Sequence, residues 1–203
     1  MQYQDTDSVI SKIKITFKIK NVTMEPDKHP NRKILRMPNY NYSANGLYFI
    51  TIVTQNRICY FGNPDTSRIN INEAGKMIEK EYIGLEKRHK EIVCLDYVIM
   101  PNHIHFILQV NDNDDDGIPD IIDEYKSRTT VRYIKSVKEQ GWSRFNGKLW
   151  QRSYWDDIIR NERQLRFIQN YIFNNPIRWN KDALNNGHDD DVDNIESRIR
   201  ELR

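Results

Sequence analysis

Between residues 46 and 176 the chain alternates two apolar patterns: short β-branched and aromatic runs, and stretches whose apolar residues recur every three or four positions. Residues 47–54 (LYFITIVT) form the first run, bounded by Gly46 and by Gln55-Asn56, and predict a strand. Asn70 and Glu73 make a capping-box pair ahead of Ala74, Met77, Ile78, Tyr82 and Leu85, which predicts a helix ending near His89. Residues 91–100 and 103–110 read as two strands joined at Pro101-Asn102, an antiparallel hairpin. Val131, Ile134 and Val137 mark a second helix closed by Gly141, and residues 154–159 a short strand. Asn161 with Gln164 caps a third helix, striped by Leu165, Ile168 and Ile172 and stopped by Pro176.

The order strand, helix, strand, strand, helix, strand predicts an α+β fold, a ferredoxin-like split βαβ antiparallel sheet covered by two helices. The third helix is then an addition at the C-terminal side. A domain over residues 43–181 is expected between an N-terminal extension, 1–42, carrying Pro26, Pro30 and Pro38, and a polar, acidic tail, 182–203, with room for a short helix near Ile195.

Composition narrows the function classes. With 38% hydrophobic and 30% charged residues, no apolar run approaches the ~20 residues that span a bilayer, and residues 1–20 lack the continuous apolar core of a secretion signal. A cytoplasmic protein without a membrane partner is expected. Cys59 and Cys94 show neither CxxC nor Cys/His spacing and read as core thiols. The net charge of +2 conceals segregation: residues 125–181 hold 13 Lys or Arg against 4 Asp or Glu, with 11 of the 22 aromatics, while residues 111–124 hold 7 acids and no base. A basic, aromatic-rich half suits a phosphate backbone and unstacked bases, or else an ordinary solvated helical surface.

On a strand, alternate residues share a face. In HIHFILQV, Ile104, Phe106, Leu108 and Val110 line one side, and His103 and His105 project together from the other. Two imidazoles about 7 Å apart along a strand can converge on one metal. A second metal reading concerns Asp112, Asp114, Asp116, Gly117 and Asp123, which match the EF-hand loop at positions 1, 3, 5, 6 and 12; without an entering helix, and with Pro119 inside, a solvated loop is the simpler account.

The string Tyr97-Val98-Ile99-Met100-Pro101-Asn102-His103-Ile104-His105 resembles the His-hydrophobic-His signature of the HUH nucleases, in the form used by REP-associated tyrosine transposases. Leu149-Trp150-Gln151-Arg152-Ser153-Tyr154-Trp155, continuing through Ile158 to Glu162 and on to Tyr171-Ile172-Phe173-Asn174-Asn175-Pro176, is similar to that family's later block, and Tyr48-Phe49-Ile50-Thr51 to an earlier one. The resemblance covers roughly residues 39–179. It implies a DNA nickase and strand-transferase acting on single-stranded or hairpin DNA through a 5′-phosphotyrosine, with Mg²⁺ or Mn²⁺ as cofactor. Tyr171 matches the catalytic tyrosine and Asn175 the residue that completes a metal site with His103 and His105. Lys148, Arg152 and Arg160 are expected to hold DNA, and a homodimer is left open. Helical geometry supports the pairing of Tyr171 with Asn175, four apart on one face, although the residue before a proline is biased away from helical dihedrals. Tyr154 is the alternative nucleophile. An HUH replication initiator or relaxase, or a non-catalytic nucleic-acid-binding sheet of the same topology, are the competing readings.

Overall fold

The computed structural model describes residues 45–63, 70–111, 117–185 and 195–202; the N-terminal extension lies outside them. Strands β1 (Gly46–Val53), β2 (Ile92–Met100), β3 (His103–Val110) and β4 (Trp155–Ile159) form one antiparallel sheet in the order β2-β3-β1-β4. This is the split βαβ arrangement expected from the pattern. In chain order the helices are α1 (Glu73–Ile83), α2 (Leu85–Arg88), α3 (Ile118–Gln140), α4 (Glu162–Asn174) and α5 (Ile195–Glu201), and a 3-10 segment, Asn175–Lys181, continues α4.

Alternation divides the sheet into two different faces. Tyr48, Ile50, Ile52, Ile104, Phe106 and Leu108 enter the main core with Ile78 and Tyr82 of α1 and Ile121, Ile122 and Tyr125 of α3. Each fully buried aliphatic side chain there contributes about 1.5–3 kcal/mol, which favours one register, since a one-residue slip would exchange the faces. The opposite face presents Phe49, Thr51, His103 and His105, because Thr51 pairs with His105 and Val53 with His103. A bulge interrupts β2 between Cys94 and Tyr97. There the Tyr82 hydroxyl donates to the Leu95 and Ile107 carbonyls, at 3.2 and 2.9 Å.

Local expectations need three corrections. The N-cap of α1 is Asn72, not Asn70: its side chain accepts from the Gly75 amide at 3.0 Å. Helix α3 begins thirteen residues before Val131, and its core contacts are Ile118, Ile121, Ile122, Tyr125, Thr129 and Tyr133. Val131 and Ile134 are exposed, so their three-residue spacing tracks the outer side of that helix. Pro176 ends α4 but does not straighten the chain. Asn175 keeps helical dihedrals, φ −56° and ψ −43°, because Pro176 stands in the first turn of the 3-10 segment, where a missing N–H costs nothing.

Some basic charge is already paired. Glu81, buried on α1, pairs with Arg88, Arg128 and Arg132, which offsets part of the positive charge counted between residues 125 and 181 while the Arg128 and Arg132 side chains stay 39% and 49% exposed. Of the acidic loop, Asp112, Asp114 and Asp116 lie outside the described residues, while Asp123 is already helical within α3.

Candidate active site

Asn102 occupies the β2–β3 turn and organises the first histidine. Its side-chain nitrogen donates to two carbonyls, of Arg57 at 3.0 Å and Leu184 at 2.8 Å, which fixes the orientation of the amide. Its oxygen therefore accepts from His103 Nδ1, 2.7 Å away. With the proton on Nδ1, Nε2 of His103 carries a lone pair, and that atom is buried without a hydrogen-bond partner. Burial, with the nearby Arg57 charge, pushes the His103 pKa down to about 3, so the ring is neutral at physiological pH. Burial, then the neighbouring His103, also holds His105 well below the usual histidine range. The His105 Nδ1 sits 2.7 Å from Thr51 Oγ1 on the paired strand.

Helix α4 crosses this face. Asn161 starts it by accepting from the Gln164 amide at 2.8 Å, and the Gln164 side chain in return accepts from the Arg160 amide at 2.7 Å. Leu165, Ile168 and Ile172 are buried as the stripe requires. Gln169 donates to Asp96 on the β2 bulge at 2.8 Å, a tie between helix and sheet edge. Tyr171, 8% exposed, places its hydroxyl 3.4 Å from His105 Nε2, and its ring meets those of His105 and Phe49 edge-on. Tyr154, in contrast, packs into the main core on the far side of the sheet.

One turn beyond Tyr171, Asn175 donates to Asp182 Oδ2 at 3.0 Å, and its own Oδ1 is buried without a partner. Asp182, expected within the polar, acidic tail, stands at this site instead. Its carboxylate lies 3.7 Å from His103 Nε2, and ligand atoms of His103, His105 and Asp182 all fall within 4.8 Å of one another. A carboxylate and an imidazole lone pair, both acceptors, thus face each other at a buried point. That donor set fits a divalent cation, which both groups would satisfy at once. No local pattern distinguished Asp182 from the acidic residues that follow it; only the turn made by the 3-10 segment returns it to the sheet.

The structure brings His103, His105, Tyr171 and Asn175 together and spreads the three basic candidates. Lys148 and Arg152 are exposed, on a segment that runs beside the end of β1 through the Gln55–Leu149 and Gln151–Val53 backbone bonds. Arg160 follows Ile159, which pairs with Leu47, at the other end of β1 and roughly 20 Å along the strand from Val53. Its guanidinium lies 3.6 Å from the buried Asp157 carboxylate. Trp150 is a packing residue, 3% exposed, with its indole nitrogen donating to Thr129. No helix among the described residues is long and apolar enough to cross a membrane.

Comparison with known proteins places this geometry. The family described as "Transposase IS200 like" matches residues 45–175. An uncharacterized protein of Haemophilus influenzae is 30% identical over 178 residues, covering 76% of this chain and 93% of its own. A REP-associated tyrosine transposase of Escherichia coli is 26% identical over 137 residues, covering 68% of this chain and 70% of its own. Among solved structures, a REP-associated tyrosine transposase bound to a REP hairpin superposes with a TM-score of 0.51 at 21% identity, covering 70% of this chain and 73% of that one. The matched span encloses all four strands, both paired histidines, Tyr171 and Asn175, and the chain belongs to the IS200-like transposase family, with REP-associated tyrosine transposases among its relatives.

Proposed function

We propose that this transposase nicks and rejoins single-stranded DNA beside a hairpin, with Tyr171 as nucleophile and His103, His105, Asn175 and Asp182 as the residues that hold a divalent cation. The observation that carries the reading is the Tyr171 hydroxyl at 3.4 Å from His105 Nε2, inside a buried cluster of neutral imidazoles and a carboxylate. The hairpin part takes its support from the solved relative, which is bound to a REP hairpin.

In this account His105 donates from Nδ1 to Thr51, as His103 does to Asn102, so both Nε2 atoms offer lone pairs to the cation. A bound Mg²⁺ or Mn²⁺ would polarise a non-bridging oxygen of the scissile phosphate and offset its charge. Tyr171 Oη attacks phosphorus in line, the bond from phosphorus to the 3′ oxygen breaks, and the proton lost by the phenol balances the one gained by that oxygen. The products are a 5′-phosphotyrosine and a free 3′-hydroxyl, and the retained phosphodiester energy allows transfer to another 3′ end. The Phe49 and His105 rings, stacked on each other, both meet the tyrosine ring edge-on and pack against it.

Incubation with end-labelled hairpin DNA carrying single-stranded flanks, with Mn²⁺ or with chelator, tests the reading. Metal-dependent nicking of the single strand, with duplex of the same sequence cut poorly, is the expected result. Binding without cleavage under every metal condition would favour the non-catalytic nucleic-acid module instead.

A further inference from the structure

Gln169 and Tyr171 are both buried on α4, and both reach the sheet. At 3.6 residues per turn they stand about 200° apart around the helix axis, on opposite flanks of the stripe formed by Leu165, Ile168 and Ile172. Tyr171 meets His105 on β3 and Phe49 on β1, whereas Gln169 meets the edge strand β2, its Nε2 donating to Asp96 Oδ2 at 2.8 Å. The helix is thus gripped on both sides of its apolar contact. That contact has no direction: burying Ile168 and Ile172 holds α4 down on the sheet without choosing its rotation about its own axis. A hydrogen bond, which weakens steeply off its line, does choose one.

The acceptor stands at an irregular point of the sheet. Cys94 pairs with Leu108 and Tyr97 with Phe106, so the bulge gives β2 one more residue than the facing stretch of β3. Such an insertion re-aims a side chain, and here the half-buried Asp96 carboxylate meets the helix. The tie also carries a cost. Gln169 Oε1 is buried with no hydrogen-bond partner among the described residues, a penalty that an apolar side chain of similar length would avoid. A glutamine that is a poor choice for stability is a motive to ask what its amide directs. Rotation of α4 would carry the Tyr171 hydroxyl across the His105 ring, and a misplacement of about 1 Å at a reacting atom can slow a reaction about 100-fold.

We infer that Asp96 and Gln169 form a positioning pair that sets the rotation of α4 and so brings the Tyr171 hydroxyl to the histidine cluster. The inference rests on the functional reading above, but its test separates the two. Gln169→Glu puts a second carboxylate against Asp96, and adding Asp96→Asn restores one hydrogen bond with donor and acceptor exchanged. Single-turnover adduct formation with Mn²⁺ and saturating hairpin DNA should slow about 100-fold in Gln169→Glu and return to within about fivefold of the unaltered rate in the reversed pair. Gln169→Met removes both the bond and the orphaned oxygen, so its thermal midpoint should stay within about 3 °C while the rate falls about 10-fold or more. Affinity for Mn²⁺, and for DNA in the Tyr171→Phe background, should stay within about twofold in every variant. In protein free of metal and DNA, the ring-proton cross-peak between Tyr171 and His105, whose centroids are 5.3 Å apart, should weaken in Gln169→Glu and recover in the reversed pair.

The inference is overturned if that cross-peak is unchanged in Gln169→Glu, if the reversed pair recovers neither rate nor cross-peak, or if Gln169→Met keeps the full rate. A loss of rate matched by equal losses of DNA and Mn²⁺ affinity would also overturn it, because the pair would then only support the fold. A protein that forms no adduct, but whose cross-peak weakens in Gln169→Glu and returns in the reversed pair, would retain the positioning pair while removing the nickase reading.

Discussion

At the scale of single residues, the site depends on side chains that orient other side chains. Asn102 settles the proton on His103 because its own amide is committed to two carbonyls, and a bond spanning 82 residues to Leu184 is part of that commitment. The histidine pair was legible in the sequence from strand alternation alone. Asp182 was not, since a run of polar and acidic residues carries no periodicity that would single one out. Its role gives a prediction with two signs. Asp182→Asn replaces a carboxylate facing a lone pair by an amide that can donate to His103 Nε2, so in chelator the thermal midpoint should hold or rise. Mn²⁺ affinity should meanwhile fall by about 10-fold or more, because the anionic ligand is gone. Calorimetry and a melting curve on the same variant check both, and an Asp182→Asn protein that binds Mn²⁺ unchanged removes this residue from the site.

At the scale of elements, strands were read more closely than helices, for a physical reason. A strand's two faces differ by side-chain chemistry at every residue, whereas a surface helix such as α3 carries apolar residues on its outer side as well. Val131 and Ile134, spaced like a core stripe, are exposed, whereas Phe106 at 0% exposure packs against Tyr82 and Tyr125. Val131→Lys should therefore change stability by no more than about 0.5 kcal/mol, while Phe106→Ala should cost roughly 3–5 kcal/mol in denaturant unfolding. A large loss in Val131→Lys would mean that the outer face of α3 is covered in solution. Proline was the other weak signal: the bias it places on Asn175 gave way because the chain continues as a 3-10 segment rather than an extended one.

At the scale of the whole molecule, the sheet order and the covering helices followed from the succession of patterns, while the closure of the site by the segment beyond Lys181 did not. On the proposed reading, a cation that binds the closed site and not the unfolded chain stabilises the native state. Mn²⁺ at 100 times its dissociation constant should raise stability by about 2.7 kcal/mol, seen as a higher thermal midpoint that chelator reverses. Ending the chain after Lys181 removes Asp182 and the buried Ile195 and Ile199 of α5, and should abolish the Mn²⁺-dependent shift. A truncated chain that keeps the full shift would show that the remaining three residues suffice.

The central claim is that Tyr171, rather than Tyr154, forms the covalent link to DNA. Tyr171 lies on a helix with its hydroxyl at the histidine cluster, while Tyr154 is packed in the core beneath the opposite face of the sheet. The most direct measurement is mass spectrometry of the protein–DNA conjugate trapped with Mn²⁺ and a hairpin substrate, on the unaltered protein, Tyr171→Phe and Tyr154→Phe. The nucleotide should map to Tyr171, be absent from Tyr171→Phe and persist in Tyr154→Phe; a nucleotide on Tyr154, or an adduct surviving in Tyr171→Phe, would contradict the account.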